Sequence, residues 1–73
     1  MEKPLEELVF VVEEAAEGGY TARALGVSIV TEADDLDALR KHVLDAVRCH
    51  FSDHAHPPRL IRLHMVKDEV LTP

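Results

Sequence analysis

Glu17-Gly18-Gly19-Tyr20-Thr21-Ala22 decides how the first half of this chain folds. Two adjacent glycines permit positive φ, the backbone that a tight reversal between strands demands. The residues on either side suit strands. Before the turn, Leu8-Val9-Phe10-Val11-Val12 is a β-branched, aromatic-containing run closed by Glu13 and Glu14. It reads as a strand covered on at least one face. After the turn, Tyr20, Ala22 and Ala24 alternate with Thr21 and Arg23, a period of two. Gly26 breaks the chain again. Val27 to Thr31 then reads as a third strand, Val27 and Ile29 on one face and Ser28 and Val30 on the other. Residues 1–31 therefore outline a three-stranded antiparallel meander.

Beyond Thr31 the period changes. Asp34 or Asp35 is placed to cap a helix by accepting orphan amide protons of its first turn, and Asp37 complements the helix dipole. Leu36, Leu39, Val43 and Val47 fall within a stripe about 80° wide on a helical projection, the face that packs on the sheet. Asp37 and Lys41 stand at i,i+4 for a weak surface pair. The helix should end near Phe51. Pro57-Pro58 stops any continuation. Arg59 to Val66 alternates again, Ile61, Leu63 and Met65 against Arg62, His64 and Val66, and reads as a fourth strand. The order β-β-β-α-β is an α+β fold with the helix on one face of the sheet. Val9, Val11, Val30 and Val66 are then candidates for the opposite face. Such an apolar patch, or a free strand edge, points to a homodimer or a higher homo-oligomer.

Length and charge narrow the class. With 73 residues the chain is one domain, 1–73, with a small core whose stability is marginal unless self-association adds to it. A single cysteine, Cys49, excludes an internal disulfide. No apolar run approaches the ~20 residues of a membrane span. Met1-Glu2-Lys3-Pro4 shows no signal-peptide pattern, so a cytoplasmic protein with no membrane partner is expected. The net charge of −6 is unevenly spread: residues 1–37 carry two Lys/Arg against ten acids, a balance of −8, and residues 38–73 carry six against four, a balance of +2. The acidic half would repel nucleic acid and attract a basic partner, although ordinary solubility explains it more simply.

These segments in this order resemble the HicB-like antitoxin family. The residues that carry the resemblance are Val9 to Glu14, then Glu17-Gly18-Gly19-Tyr20-Thr21-Ala22, Ile29-Val30-Thr31, the acidic helix start Ala33-Asp34-Asp35-Leu36, and Ala46-Val47. The resemblance covers roughly residues 7–66, and each motif alone is weakly specific. Two departures stand out. Leu25-Gly26 replaces the family's Pro-rich turn, and Asp35 replaces its helix-start threonine. The resemblance implies a partial double-stranded-RNA-binding fold and a non-enzymatic protein that neutralises a small basic RNA-cleaving toxin. Family members often carry a separate DNA-binding segment. Seven residues after the fourth strand cannot hold one, so the expectation is a short stand-alone relative that does not bind DNA. The alternative is a stand-alone homo-oligomer with a structural or regulatory role.

Chemistry-bearing clusters are sparse, and no catalytic, cofactor or metal site is assigned from them. Cys49-His50-Phe51-Ser52-Asp53-His54-Ala55-His56 is rich in zinc-type ligands, but no standard zinc spacing is met. On a helix Cys49 would face solvent while His50 would fall within the apolar stripe. A loose site at His50, His54 and His56 is weighed against a chance histidine-rich loop, which is the simpler reading. His42, Asp45 and Cys49 share the outer helix face, which offers no pocket for nucleophilic catalysis. Glu13, Glu14 and Glu17 read as a solvated acidic turn. Arg23, Arg59 and Arg62 could form a small basic patch, without the stacking aromatics of an RNA-binding surface.

Overall fold

A computed structural model describes residues 6–53 and 56–73. Its elements are β1 (Glu7–Glu14), β2 (Tyr20–Ala24), β3 (Val30–Ala33), α1 (Leu36–His50) and β4 (Leu60–Val66), in the order β-β-β-α-β. The sheet order is β3-β2-β1-β4. β1 and β2 pair antiparallel with Phe10 opposite Ala24 and Glu14 opposite Tyr20. β2 and β3 pair antiparallel with Arg23 opposite Val30 and Tyr20 opposite Ala33. The meander is therefore as the sequence suggests. The chain then crosses the sheet through α1, and β4 lies parallel to β1 with Phe10 opposite Leu63.

The first hairpin turns on its glycines. Gly18 and Gly19 have φ of +101° and +84°. The turn is closed by hydrogen bonds from Ala15 N–H to Gly19 O (2.9 Å) and from Gly18 N–H to Ala15 O (3.0 Å). The third strand differs from the sequence expectation: it begins at Val30 rather than Val27. Ala24 N–H donates to Ile29 O at 2.9 Å, and Ile29 N–H donates to Val27 O at 3.1 Å. The segment between therefore curls as a loop. Val27 and Ile29 pack on the core from that loop, Ile29 being buried. Their alternation records burial, not pairing.

α1 begins where the sequence places it. Asp35 is the N-cap, and its carboxylate accepts a 2.7 Å bond from Ala38 N–H. Leu39, Val43 and Val47 are buried against the sheet. The core pairs them with Leu8, Phe10 and Val12 of β1, Ala22 and Ala24 of β2, Ile29 and Phe51. The helix lies nearest β3 and β2. The small side chains of Ala22, Ala24 and Ala33 allow that approach, and the larger side chains of β1 fill the space beside it. β4 stands beyond the footprint of the helix. Ile61 and Leu63 are only half-buried, and Met65 on the same face is 49% exposed.

Val9, Val11, Val30 and Val66 do share the opposite face of the sheet, as the β1–β2, β1–β4 and β2–β3 registers require. They do not form a continuous patch. Arg23 separates Val11 from Val30, and Glu13 sits beside Val66. Among the described residues no helix is long and apolar enough to cross a membrane.

Candidate functional site

The most distinctive surface is an acidic pole. β1 ends, β3 ends and α1 begins at the same end of the sheet, and the β1–β2 turn lies there too. Glu13, Glu14, Glu17, Glu32, Asp34 and Asp35 thereby come together from separate stretches of sequence. Glu17, Glu32, Asp34 and Asp35 line an open groove of about 510 Å³, along with Gly18, Tyr20, Ala38 and His42. Among the described residues none of these carboxylates forms an ion pair. The sequence reading found Glu13, Glu14 and Glu17 as one turn. It did not find Glu32 and Asp34 as their neighbours, because the β2–β3 register brings them there.

His42 braces this groove. Its Nδ1–H donates to the Glu32 carbonyl at 2.8 Å, tying the helix to the end of β3. The imidazole is thus directed at β3. Cys49 is two turns further along, about 10 Å of helical rise from His42. Asp45 lies 3.8 Å from Arg48. His42, Asp45 and Cys49 share the exposed side of the helix without converging on one point.

The Cys49–His56 segment divides in a similar way. Cys49 and His50 are both exposed at the end of α1. The apolar stripe therefore does not take in His50. The chain leaves helical geometry at Phe51, which closes the core in its place and meets the His50 ring edge-on at 4.9 Å between centroids. His56 is exposed, and His54 lies outside the described residues. Among the described residues no three metal-ligating groups come together.

The three arginines are held apart. Arg62 donates through Nε to Glu7 Oε1 and through Nη2 to Glu7 Oε2 (3.3 Å), a two-pronged pair on the open face of the sheet. Hydrogen bonding from Arg62 holds the Glu7 carboxyl below its ordinary value; slight desolvation opposes this and the guanidinium charge adds to it. The same partner raises Arg62. Arg23 lies two strands away, opposite Val11. Arg59 precedes β4, where its N–H and that of Leu60 both donate to Glu6 O at 2.9 Å.

The chain has recognisable relatives. A UPF0150 protein from Archaeoglobus fulgidus is 49% identical over 53 residues, spanning 73% of this chain and 79% of the relative. The chain belongs to the UPF0150 family. A second UPF0150 protein, from Thermotoga maritima, is 37% identical over 62 residues, spanning 85% of this chain and 86% of that one. No family model matches the chain. No solved structure matches it. UPF0150 membership spans most of the β-β-β-α-β unit and carries no activity in its name.

Proposed function

We propose that this UPF0150 chain is a non-enzymatic, HicB-like protein-binding domain of the cytoplasm, and that its partner is a small basic RNA-cleaving toxin. The observation that carries this reading is the acidic pole. Four carboxylates, Glu17, Glu32, Asp34 and Asp35, line one groove, Glu13 and Glu14 lie at the same end of the sheet, and none of the six forms an ion pair among the described residues. A surface of that sign accelerates encounter with a basic protein and disfavours nucleic acid. The resemblance to HicB-like antitoxins in residues 7–66 supports the same class of partner.

The test is capture of partners from the native host by the tagged chain, with a variant carrying Glu17→Gln, Glu32→Gln and Asp34→Asn run in parallel. Asp35 is left intact because it caps α1. A stoichiometric small basic protein, lost from the variant and released by salt, is the expected result. That protein should cleave RNA alone and stop when the chain is added. Recovery of the chain alone, or of a partner indifferent to the three substitutions, refutes the reading.

A second reading, a stand-alone homo-oligomer with a structural or regulatory role, draws on the apolar residues exposed along β4 and in the tail that follows it.

A further inference from the structure

Of the seven large hydrophobic residues exposed among the described residues, five lie on or beside one edge of the molecule. Leu60 and Met65 are on β4, Val70 and Leu71 are in the tail that continues it, and Leu44 is on α1 beside β4. Leu44 lines a groove of about 310 Å³ with Arg40, Val43, Ile61 and Leu63. β4 is an edge strand, so one side of its backbone is left unpaired among the described residues.

The hydrogen bonds identify which groups are free. Leu60 N–H donates to Glu6 O, and Leu60 pairs with Glu7 of β1. In a parallel ladder this pattern turns Leu60, Arg62, His64 and Val66 toward β1. The N–H and C=O groups of Ile61, Leu63 and Met65 consequently point outward. A second copy related by a two-fold axis must pair antiparallel, because the axis reverses the strand.

We propose that two copies join through β4, antiparallel, with the two-fold axis at Leu63. This register sets Leu63 against its own symmetry mate and Ile61 against Met65 of the other copy. All the outward groups of Ile61, Leu63 and Met65 are then satisfied by six main-chain hydrogen bonds. The helix-side face gains an unbroken apolar row. On the other face Leu60 meets Val66, and Arg62, already held by Glu7, meets His64. An axis at His64 sets Leu63 against Met65 but breaks the apolar row by setting Ile61 against Lys67, and it faces His64 with its own mate; the other registers match less well. An axis at Arg62 opposes two guanidiniums, one at Met65 sets Leu63 against Lys67 and Ile61 against Glu69, and one at Ile61 runs His64 past Pro58.

A stable interface takes about 800 Å² from each partner, and β4 alone, about 23 Å long, falls short of it. The tail makes up the difference. In this register residues 67–71 continue past Arg59 and the Pro57-Pro58 turn of the other copy, carrying Val70 and Leu71 out of solvent and Asp68 and Glu69 past Arg59. The result is a continuous eight-stranded sheet with both helices on one face. Its two acidic poles lie at opposite ends, so the dimer does not depend on the basic partner proposed above.

The test is sedimentation equilibrium of the full chain at micromolar concentrations, with cysteine crosslinking in a Cys49→Ala background. A mass of twice the 8.2 kDa chain is expected. A central hydrogen-bonded pair brings Cα atoms to about 5.5 Å, within disulfide range. Leu63→Cys should therefore oxidise to a covalent dimer, and Val30→Cys on the far edge should not. Met65→Lys should lower the association constant at least tenfold with unchanged circular dichroism. A monomer throughout the micromolar range, a dimer in which Val30→Cys crosslinks and Leu63→Cys does not, or a dimer indifferent to Met65→Lys while folded overturns the proposal. Saturation of the β4 edge by a different protein, with no self-association of the chain alone, overturns it as well.

Discussion

Gly19→Ala tests the hairpin that organises the acidic pole, and Gly18→Ala is its internal control. Both residues have positive φ, so each alanine carries a backbone cost of about 1–2 kcal/mol, offset by about 0.4–1 kcal/mol from the less flexible unfolded chain. The surroundings differ. A Cβ at Gly18 would meet nothing within 4 Å, while one at Gly19 would sit 2.8 Å from the Ala33 carbonyl oxygen. That oxygen is main chain at the end of β3, opposite Tyr20, and cannot rotate aside. Relieving the clash moves the β2–β3 ladder or the turn, at a further cost of about 1–3 kcal/mol. A chain of this size is stable by roughly 4–11 kcal/mol, so both variants should still fold. Each kcal/mol lowers the melting temperature by about 4–8 °C in a domain this small. Thermal unfolding followed by circular dichroism should show Gly19→Ala melting about 4–24 °C below Gly18→Ala. Equal falls would refute the close approach of the β1–β2 turn to β3, and with it the geometry of the groove.

Three further outcomes follow from the same structure. Asp35→Ala removes the bond to Ala38 N–H and should cost about 1 kcal/mol in urea unfolding, whereas Asp34→Ala should cost much less. Leu39→Asp buries an unpaired carboxylate at a fully buried site, a penalty of several kcal/mol that should unfold the chain; retained helicity and melting temperature would show the helix face to be misassigned. Arg62→Met should raise the pH at which Glu7 titrates, read by carboxyl-carbon NMR. Because the folded Glu7 is held below its ordinary 4.5, its contribution to stability is present above that pH and is lost as the pH falls through the lowered folded value. An unchanged Glu7 titration in Arg62→Met would show that the pair does not persist in solution.

Much of the candidate site is written in residue types that sequence reading interprets only locally. Glu13, Glu14 and Glu17 are legible as an acidic turn, and Asp34 and Asp35 as a helix start. Their meeting around one groove depends on the β2–β3 register, which sets Glu32 opposite Thr21 and places Ala33 beside Tyr20. The Arg62–Glu7 pair spans 55 residues and exists only because β4 lies parallel to β1. His50 shows the reverse error: extending the helical projection put it in the apolar stripe, but the helix stops there and Phe51 closes the core.

The residue pattern alone sets the number, type and order of the elements, a helix cap at Asp34 or Asp35 and the buried helix face of Leu39, Val43 and Val47, and the structure selects Asp35. These follow from local rules: glycine dihedrals at Gly18 and Gly19, capping chemistry, and periods of 2 and 3.6. The residue pattern also sets which side chains of each strand share a face. Packing in three dimensions sets the rest: β4 joins β1 rather than β3, β3 starts at Val30, and α1 covers β2 and β3 while the β4 edge stays open among the described residues. Those choices depend on which packed arrangement buries Phe10, Leu8 and the helix stripe together, a balance among residues far apart in the chain that no local period encodes.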